Sequence, residues 1–441
     1  MVLFKVPDGR QSTMGKETRL EIITLGDELL LGIRPNTHLS YLGKHLSRKG
    51  LSIQRNLVIR DDQDEITRYF HDAWSSADVI ITTGGLGSTH DDITRETIAL
   101  ALGLELIHNE EVERAIRERF RCMDRPVTEA TLRQAKVIEG AEVIPNHFGT
   151  APGMWLERNG KILIMLPGPS LELYPMFEER VLPMLTDRGF LKSQDAFFQV
   201  RSCGVGESLL ESRLTPIFER YRDRLAVSFC AHDGLVDLRL QPGPAAELSW
   251  SELEEVGREC REILNDDFVT YGDETPAELL LGHLRALGRT LAVGEACTGG
   301  LLGSAFTDVP GASEVFAGGV VCYNNSAKVE MLGVPDAILQ QHGAISAECA
   351  AAMAMGAAER FSADHALSVT GIAGPGGGSP EHPVGTIFMG SLSPAGVWSR
   401  KVVYPGNRKA VRMRAVAAAM DWMRRELKKH EVDDVLASMV L

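Results

Sequence analysis

No run of eighteen apolar residues occurs anywhere in this chain, and Met1 to Lys16 contain no apolar segment of the kind a secretory signal needs. Membrane insertion and secretion are therefore not expected, and a cytoplasmic location is. Cysteine pairs are missing too. Cys122, Cys203, Cys230, Cys260, Cys297, Cys322 and Cys349 are scattered without a CxxC spacing, which speaks against a disulfide framework and against structural zinc. Basic excess is also absent: 46 Lys and Arg against 60 Asp and Glu give a formal net charge of −14. Such a molecule repels a phosphate backbone, so nucleic acid is not an expected partner. Small phosphorylated metabolites fit better, because a few backbone N–H groups and one metal ion overcome the global field locally.

The 44% of hydrophobic residues is that of a folded globular protein, and 441 residues are too many for one core. The expected organisation is a disordered tail over 1–17, an α/β domain over 18–187, a small α+β domain over 188–273, a second α/β domain over 274–432, and a tail over 433–441. In the first domain, apolar strands (EIITLG, Ile53 to Ile59, DVIITTGG) alternate with amphipathic stretches (Asn36 to Lys49, Glu65 to Trp74), which reads as a parallel sheet. Asn159-Gly160 between two apolar runs signals a hairpin, and PGPS opens a helix near Leu171.

The middle segment runs strand, helix, a hairpin around His232-Asp233-Gly234, helix, strand. That order resembles a KH-type fold. It lacks the GXXG loop that clamps RNA and has Gly204-Val205-Gly206-Glu207 instead, so a spacer or dimer contact is the expected role.

In the last domain three motifs carry chemistry. EACTGG places Ala296, Cys297, Thr298, Gly299 and Gly300 where a strand passes into a helix, so free backbone N–H groups there would suit an anion or oxyanion. VPGAS ends at Ser313, and GGVVCYNNSAK carries Tyr323 and Lys328; Ser with a neutral Lys makes a nucleophile without histidine. Taken singly, a Ser in such a turn is ordinarily a cap and a Lys a solvated head. VTGIAGPGGG puts Thr370 and Gly371 at a strand end before a loop too rich in glycine to carry a core.

In the first domain, GDELLLG places Asp27 and Glu28 at the carboxyl edge of a sheet, where open α/β folds bind ligands. TTGGLGSTHDDITRE combines Gly84, Gly85 and Gly87, which let backbone approach a phosphate, with Asp91 and Asp92, which suit a divalent metal. Asp92 read on its own would be a helix N-cap.

Together ACTGG, TDVPGAS, FAGGVVCYNNSAK, QHGAIS and SVTGIAGPGGG over about Pro276 to Lys428 closely resemble the C-terminal, PncC-type nicotinamide mononucleotide deamidase domain of the CinA family. GDELLLG, TTGGLGSTHDD, GTAPG and LPGP over about Arg19 to Leu185 resemble that family's N-terminal domain, a three-layer α/β fold related to MoaB and MogA. The resemblance implies that Ser313 attacks the amide of nicotinamide mononucleotide, releasing ammonia and nicotinate mononucleotide. Lys328 would be its base, Tyr323 a relay and Thr370 a positioning group. The oxyanion would lie at N–H groups near Cys297 and Thr298, and Arg408 on the ligand phosphate. No metal is implied there.

For the N-terminal domain the resemblance implies cleavage of ADP-ribose to AMP and ribose 5-phosphate with Mg²⁺, Mn²⁺ or Co²⁺. Non-catalytic nucleotide sensing and molybdopterin binding are the alternatives. A homodimer is implied by the resemblance and by the frequency of two-fold oligomers. The chain departs from the family at Ala296, where SCTGG is usual, at Arg34-Pro35, and at Ser88. A rival nucleophile is Cys297, a thiol whose pKa a helix N-terminus would lower.

Overall fold

The computed structural model describes residues 18–243 and 248–430, with only the backbone at 429 and 430; the tails expected over 1–17 and 433–441 lie outside the described residues. The chain forms two compact units that divide between Ala196 and Phe197.

The first unit is built on a six-stranded sheet. Strands β1 (Leu20–Leu25), β2 (Ile53–Ile59), β3 (Val79–Thr83), β6 (Glu142–Ile144), β7 (Gly153–Arg158) and β8 (Lys161–Leu166) lie in the order β2-β1-β3-β8-β7-β6. β4 (Leu106–His108) and β5 (Lys136–Ile138) make a separate two-stranded ribbon. β2, β1, β3 and β8 are parallel. Central parallel strands are covered on both faces, which is why LEIITL and VIITT are rich in Leu, Ile and Val and buried throughout, Glu21 and the threonines included. One face packs against helices Gln63–Ser76, Thr94–Leu102 and Glu110–Cys122, with Phe70, Ile98 and Ile116 in that core. The other packs against Thr37–Arg48 and the helical run Ser170–Asp187, through Leu42, Leu46 and Phe177. At the hairpin joining β7 to β8, Asn159 and Gly160 both take positive φ (54° and 72°), the conformation that a two-residue turn of this hand requires. The segment after Asp187 stays with this unit: Lys192 and Ala196 donate backbone bonds to Lys49 and Arg48 (2.9 and 2.7 Å), and Arg48 pairs with Asp195.

The second unit holds two sheets. β9 (Phe198–Cys203), β10 (Leu225–His232), β11 (Leu235–Pro242) and β12 (Phe268–Thr270) form an antiparallel sheet in the order β10-β11-β9-β12, covered by helices Glu207–Tyr221 and Trp250–Leu264. The other sheet runs β14-β13-β15-β16-β17, with β13 (Leu291–Glu295), β14 (Phe316–Val321) and β15 (His365–Gly371) parallel, and β16 (Thr386–Ser393) and β17 (Gly396–Val403) antiparallel. Helices Pro276–Ala286, Leu301–Thr307 and Arg408–His430 share one core cluster with this sheet, and Ala347–Phe361 a second. Arg201, buried on β9, makes a two-pronged pair with Asp237 and donates to the Asp273 and Glu274 carbonyls, so the strand is tied to the chain that enters the second sheet.

The helix that carries Lys328 (Asn325–Leu332) is seated by close contact. An added Cβ on Gly356, in the helix Ala347–Phe361, would overlap the Leu332 carbonyl. Gly356→Ala is therefore expected to lower stability by about 1–3 kcal/mol through overpacking, read as a lower midpoint in urea with an unchanged m-value.

Candidate active sites

The strands β1, β2 and β3 end together, and at their carboxyl edge lies a cleft of about 520 Å³. Glu28, Asp61, Gly84, Gly85, Gly87, Asp91 and Asp92 are among its lining residues. Gly84 and Gly85 both have positive φ (102° and 67°), and a Cβ on Gly84 would press on the Leu25 carbonyl. The loop can therefore turn off β3 only with glycine there. Leu86, which follows them, is buried in the core and anchors the loop. Of the expected metal group, Glu28, Asp91 and Asp92 line the cleft, while Asp27 starts the short helix Asp27–Leu30 and is not in the lining. The N-cap reading of Asp92 does not hold. The helix begins at Thr94 with Ile93 at the cap position, and Asp92 accepts from the Thr89 backbone (2.9 Å) and hydroxyl, closing the loop.

Asp61 was not among the expected residues. Burial, and then the carboxylates of Asp27, Asp91, Glu28 and Asp92, push it up to about 6. Its neighbour Asp62 caps the helix Gln63–Ser76 by accepting from Asp64 and Glu65 (3.0 Å each). The signal available was an Asp-Asp pair at a strand-to-helix junction, where one carboxylate suffices as cap and the other is left at the sheet edge. His38 completes the far wall: burial lowers its pKa, and Nδ1 lies 3.1 Å from the Thr83 hydroxyl.

Among the described residues no three carboxylate or imidazole groups converge to enclose an ion by themselves. The donors are offered singly around an open cleft. That fits Mg²⁺ or Mn²⁺, which bind through one or two carboxylates, keep several waters, and take the rest of their shell from substrate phosphates.

The second candidate site lies at the carboxyl edge of β13, β14 and β15. Lys328 is only 2% exposed, and its Nζ donates to the Cys322 carbonyl at 3.2 Å. Tyr323 is exposed, its hydroxyl accepting from Arg408 at 2.8 Å, and Arg408 also donates to the Gly374 carbonyl at 2.7 Å. Tyr323, Arg408 and the glycine loop after Gly371 are thus brought together. Thr370 is turned elsewhere, donating to the Ala344 carbonyl at 2.8 Å.

Three expectations are corrected here. Ser313 stands in the turn Ala312–Glu314 before β14, whereas Tyr323 and Lys328 follow it. With β14 parallel to β13 and the Leu291 N–H bonded to the Val315 carbonyl, Ser313 is at the amino edge of the sheet. A strand of that length rises about 17 Å, far beyond the ~3 Å at which a base can take a hydroxyl proton. Ser313 and Lys328 do not form a pair within this chain. Second, the helix Leu301–Thr307 does not offer free donors throughout its start: the buried carboxylate of Glu295 accepts from Gly300, Leu302 and Gly303 (3.0, 3.0 and 2.8 Å). This second missed acid had a signal too, a charge closing the apolar strand TLAVGE. Third, burial pushes the Cys297 thiol up to about 11, so it is not the activated thiolate that the rival mechanism needs. Ala296 is buried in the same apolar cluster as Cys322, the residue whose carbonyl receives Lys328, and supplies no hydroxyl there.

Comparison with known proteins agrees with this architecture. The family sequence model described as "CinA C-terminal domain" matches residues 273–427, and that described as "Probable molybdopterin binding domain" matches residues 21–187. A "Putative competence-damage inducible protein" of Caldanaerobacter subterraneus subsp. tengcongensis is 40% identical over 415 residues, covering 94% of this chain and 100% of that protein. The chain belongs to the CinA family. A "CinA-like protein" of Kosmotoga olearia is 38% identical, covering 93% of this chain and 99% of the relative. A solved CinA-family structure, the competence/damage inducible protein CihA from Agrobacterium tumefaciens, is 37% identical and covers 35% of this chain and 97% of its own, with a TM-score of 0.33.

Two outcomes follow for this CinA chain. A carboxyl whose pKa is raised on folding binds protons more tightly in the native state, so its contribution to stability falls as pH rises from about 4 through about 6. Without divalent metal, Asp61→Asn should flatten that decline and raise Tm at pH 8, measured by calorimetry across pH 4 to 8. Cys297 should be alkylated by iodoacetamide more than tenfold slower than a free thiol at pH 8, followed by peptide mass spectrometry.

Proposed function

We propose that the protein acts in pyridine-nucleotide salvage through two hydrolytic centres. The N-terminal cleft cleaves the pyrophosphate of ADP-ribose to AMP and ribose 5-phosphate with a divalent metal. The observation that carries this reading is the cleft itself: a glycine loop that lets phosphate oxygens approach backbone, with carboxylates spread along its lining, among them Asp61, which burial and then its acidic neighbours push up to about 6. Glu28, Asp61, Asp91 and Asp92 would hold the metal, which when bound supplies charge neutralisation of the pyrophosphate and an acidified water. His38, kept neutral by burial, serves as a hydrogen-bonding wall rather than a competing cation.

The C-terminal domain binds nicotinamide mononucleotide and hydrolyses its carboxamide to nicotinate mononucleotide and ammonia. Arg408, exposed and fixed by Tyr323 and Gly374, takes the phosphate. Lys328 is the base, and with alanine at position 296 the attacking oxygen is that of water rather than of a side chain. An enzyme lacking a positioned nucleophile gives up the advantage of a covalent intermediate, so slow turnover is expected.

The experiment is product analysis by mass spectrometry. With ADP-ribose and Mg²⁺, AMP and ribose 5-phosphate should appear, and the Asp91→Ala, Asp92→Ala double variant should lose at least 100-fold in rate. Bound but uncleaved ADP-ribose would instead make the N-terminal domain a sensor. With nicotinamide mononucleotide, Ser313→Ala should leave kcat unchanged, Lys328→Met should abolish ammonia release, and Ala296→Ser should raise kcat about tenfold or more. Loss of activity in Ser313→Ala would restore the serine mechanism.

A further inference from the structure

Gln134 lies in the turn Arg133–Ala135 before β5 and forms part of the wall of the N-terminal cleft beside the loop Gly84–Gly87. Its side chain is almost fully buried, at 2% exposure. The amide nitrogen donates to the Leu86 carbonyl at 3.4 Å, while the amide oxygen is buried with no hydrogen-bond partner among the described residues. The orientation is not interchangeable: a backbone carbonyl only accepts, so Leu86 must face the NH₂ end, and the oxygen is left buried without a donor. Leu86 is itself fixed in the core, so this amide cannot swing away to find another partner.

A buried acceptor without a donor is unfavourable, and native structures ordinarily satisfy such groups with protein, water or ligand. The carboxylates of this cleft do not help. Glu28, Asp61, Asp91 and Asp92 are acceptors when ionised, and so are the oxygens of a bound pyrophosphate. None of the other donors in the lining, Arg34 included, bonds this oxygen, so among the groups of a phosphorylated ligand only an N–H or O–H of its organic part can satisfy it.

Resting on the pyrophosphatase reading above, we infer that the Gln134 amide oxygen accepts a hydrogen bond from a neutral donor of the nucleotide, a base amine or a ribose hydroxyl. The cleft is thereby selective for nucleoside diphosphate sugars over inorganic pyrophosphate. The same amide holds the glycine loop through Leu86, so Gln134 couples recognition of the nucleoside to the position of the phosphate-binding backbone.

The test is calorimetric titration of the full chain in Mg²⁺ with two probes, the uncleavable α,β-methylene analogue of ADP-ribose and inorganic pyrophosphate. Gln134→Met, close in shape but without either end of the amide, loses the Leu86 bond as well, so it should weaken both probes, the analogue about tenfold more than pyrophosphate. Equal weakening of both probes would mean a structural role only, and no change in either would mean that the oxygen meets no ligand; both overturn the inference. Should the variant fold poorly, the wild type decides with analogues that each lack one donor. At least one, missing the base amine or a single ribose hydroxyl, should bind about tenfold more weakly, and its identity names the donor. If all bind as tightly as the parent, the inference fails while the pyrophosphatase reading stands. If the wild type binds no nucleotide, that reading fails first.

Discussion

A parallel strand carries its chemistry at its ends, because both of its faces are spent on the core. Here β1, β3, β13 and β15 are buried along nearly their full length. The glycine loops and candidate-site groups that follow these strands therefore collect at the carboxyl edge of a sheet. Glycine at Gly84 and Gly85, and again at Gly299 and Gly300, lets the chain turn off the sheet with positive φ. Each unit thus has one edge of exposed backbone and charge on an otherwise apolar frame.

The two edges resolve their charges differently. In the first unit, carboxylates line the cleft, and burial first, then the neighbouring carboxylates, push Asp61 up to about 6. In the second, Glu295 is satisfied by the N–H groups of Gly300, Leu302 and Gly303, and Lys328 by the Cys322 carbonyl. The first edge sets carboxylates beside a glycine loop. The second keeps its buried Glu295 and Lys328 hydrogen-bonded within the chain and presents Tyr323 and Arg408 at the surface. That contrast explains why one site is an open cleft and the other is built around a buried lysine.

Much of this was legible in the sequence. Apolar strands alternating with amphipathic stretches announced the parallel sheet of the first domain, Asn159-Gly160 gave the hairpin, and the glycine loops stand where strands end. Placement across a strand was the weak point. Ser313 and Lys328 are close in sequence and belong to neighbouring family motifs, yet a whole strand lies between them, and spacing along the chain does not say on which edge a turn falls. Asp61 and Glu295 were missed for the opposite reason: each sits beside residues with an obvious job, Asp62 as cap and the ACTGG turn as presumed anion site. Gln134 has no signature at all, since its importance arises only from an acceptor that burial leaves unmatched.

The account rests on carboxylate crowding at the first cleft being relieved by a divalent cation. The most direct test is a carbon NMR titration of the Asp61 carboxyl in the full chain, with and without Mg²⁺. An apparent pKa near 6 in metal-free protein, falling below about 4 when Mg²⁺ is added, is the predicted result. A metal-free value near 4 that Mg²⁺ leaves unmoved would contradict it.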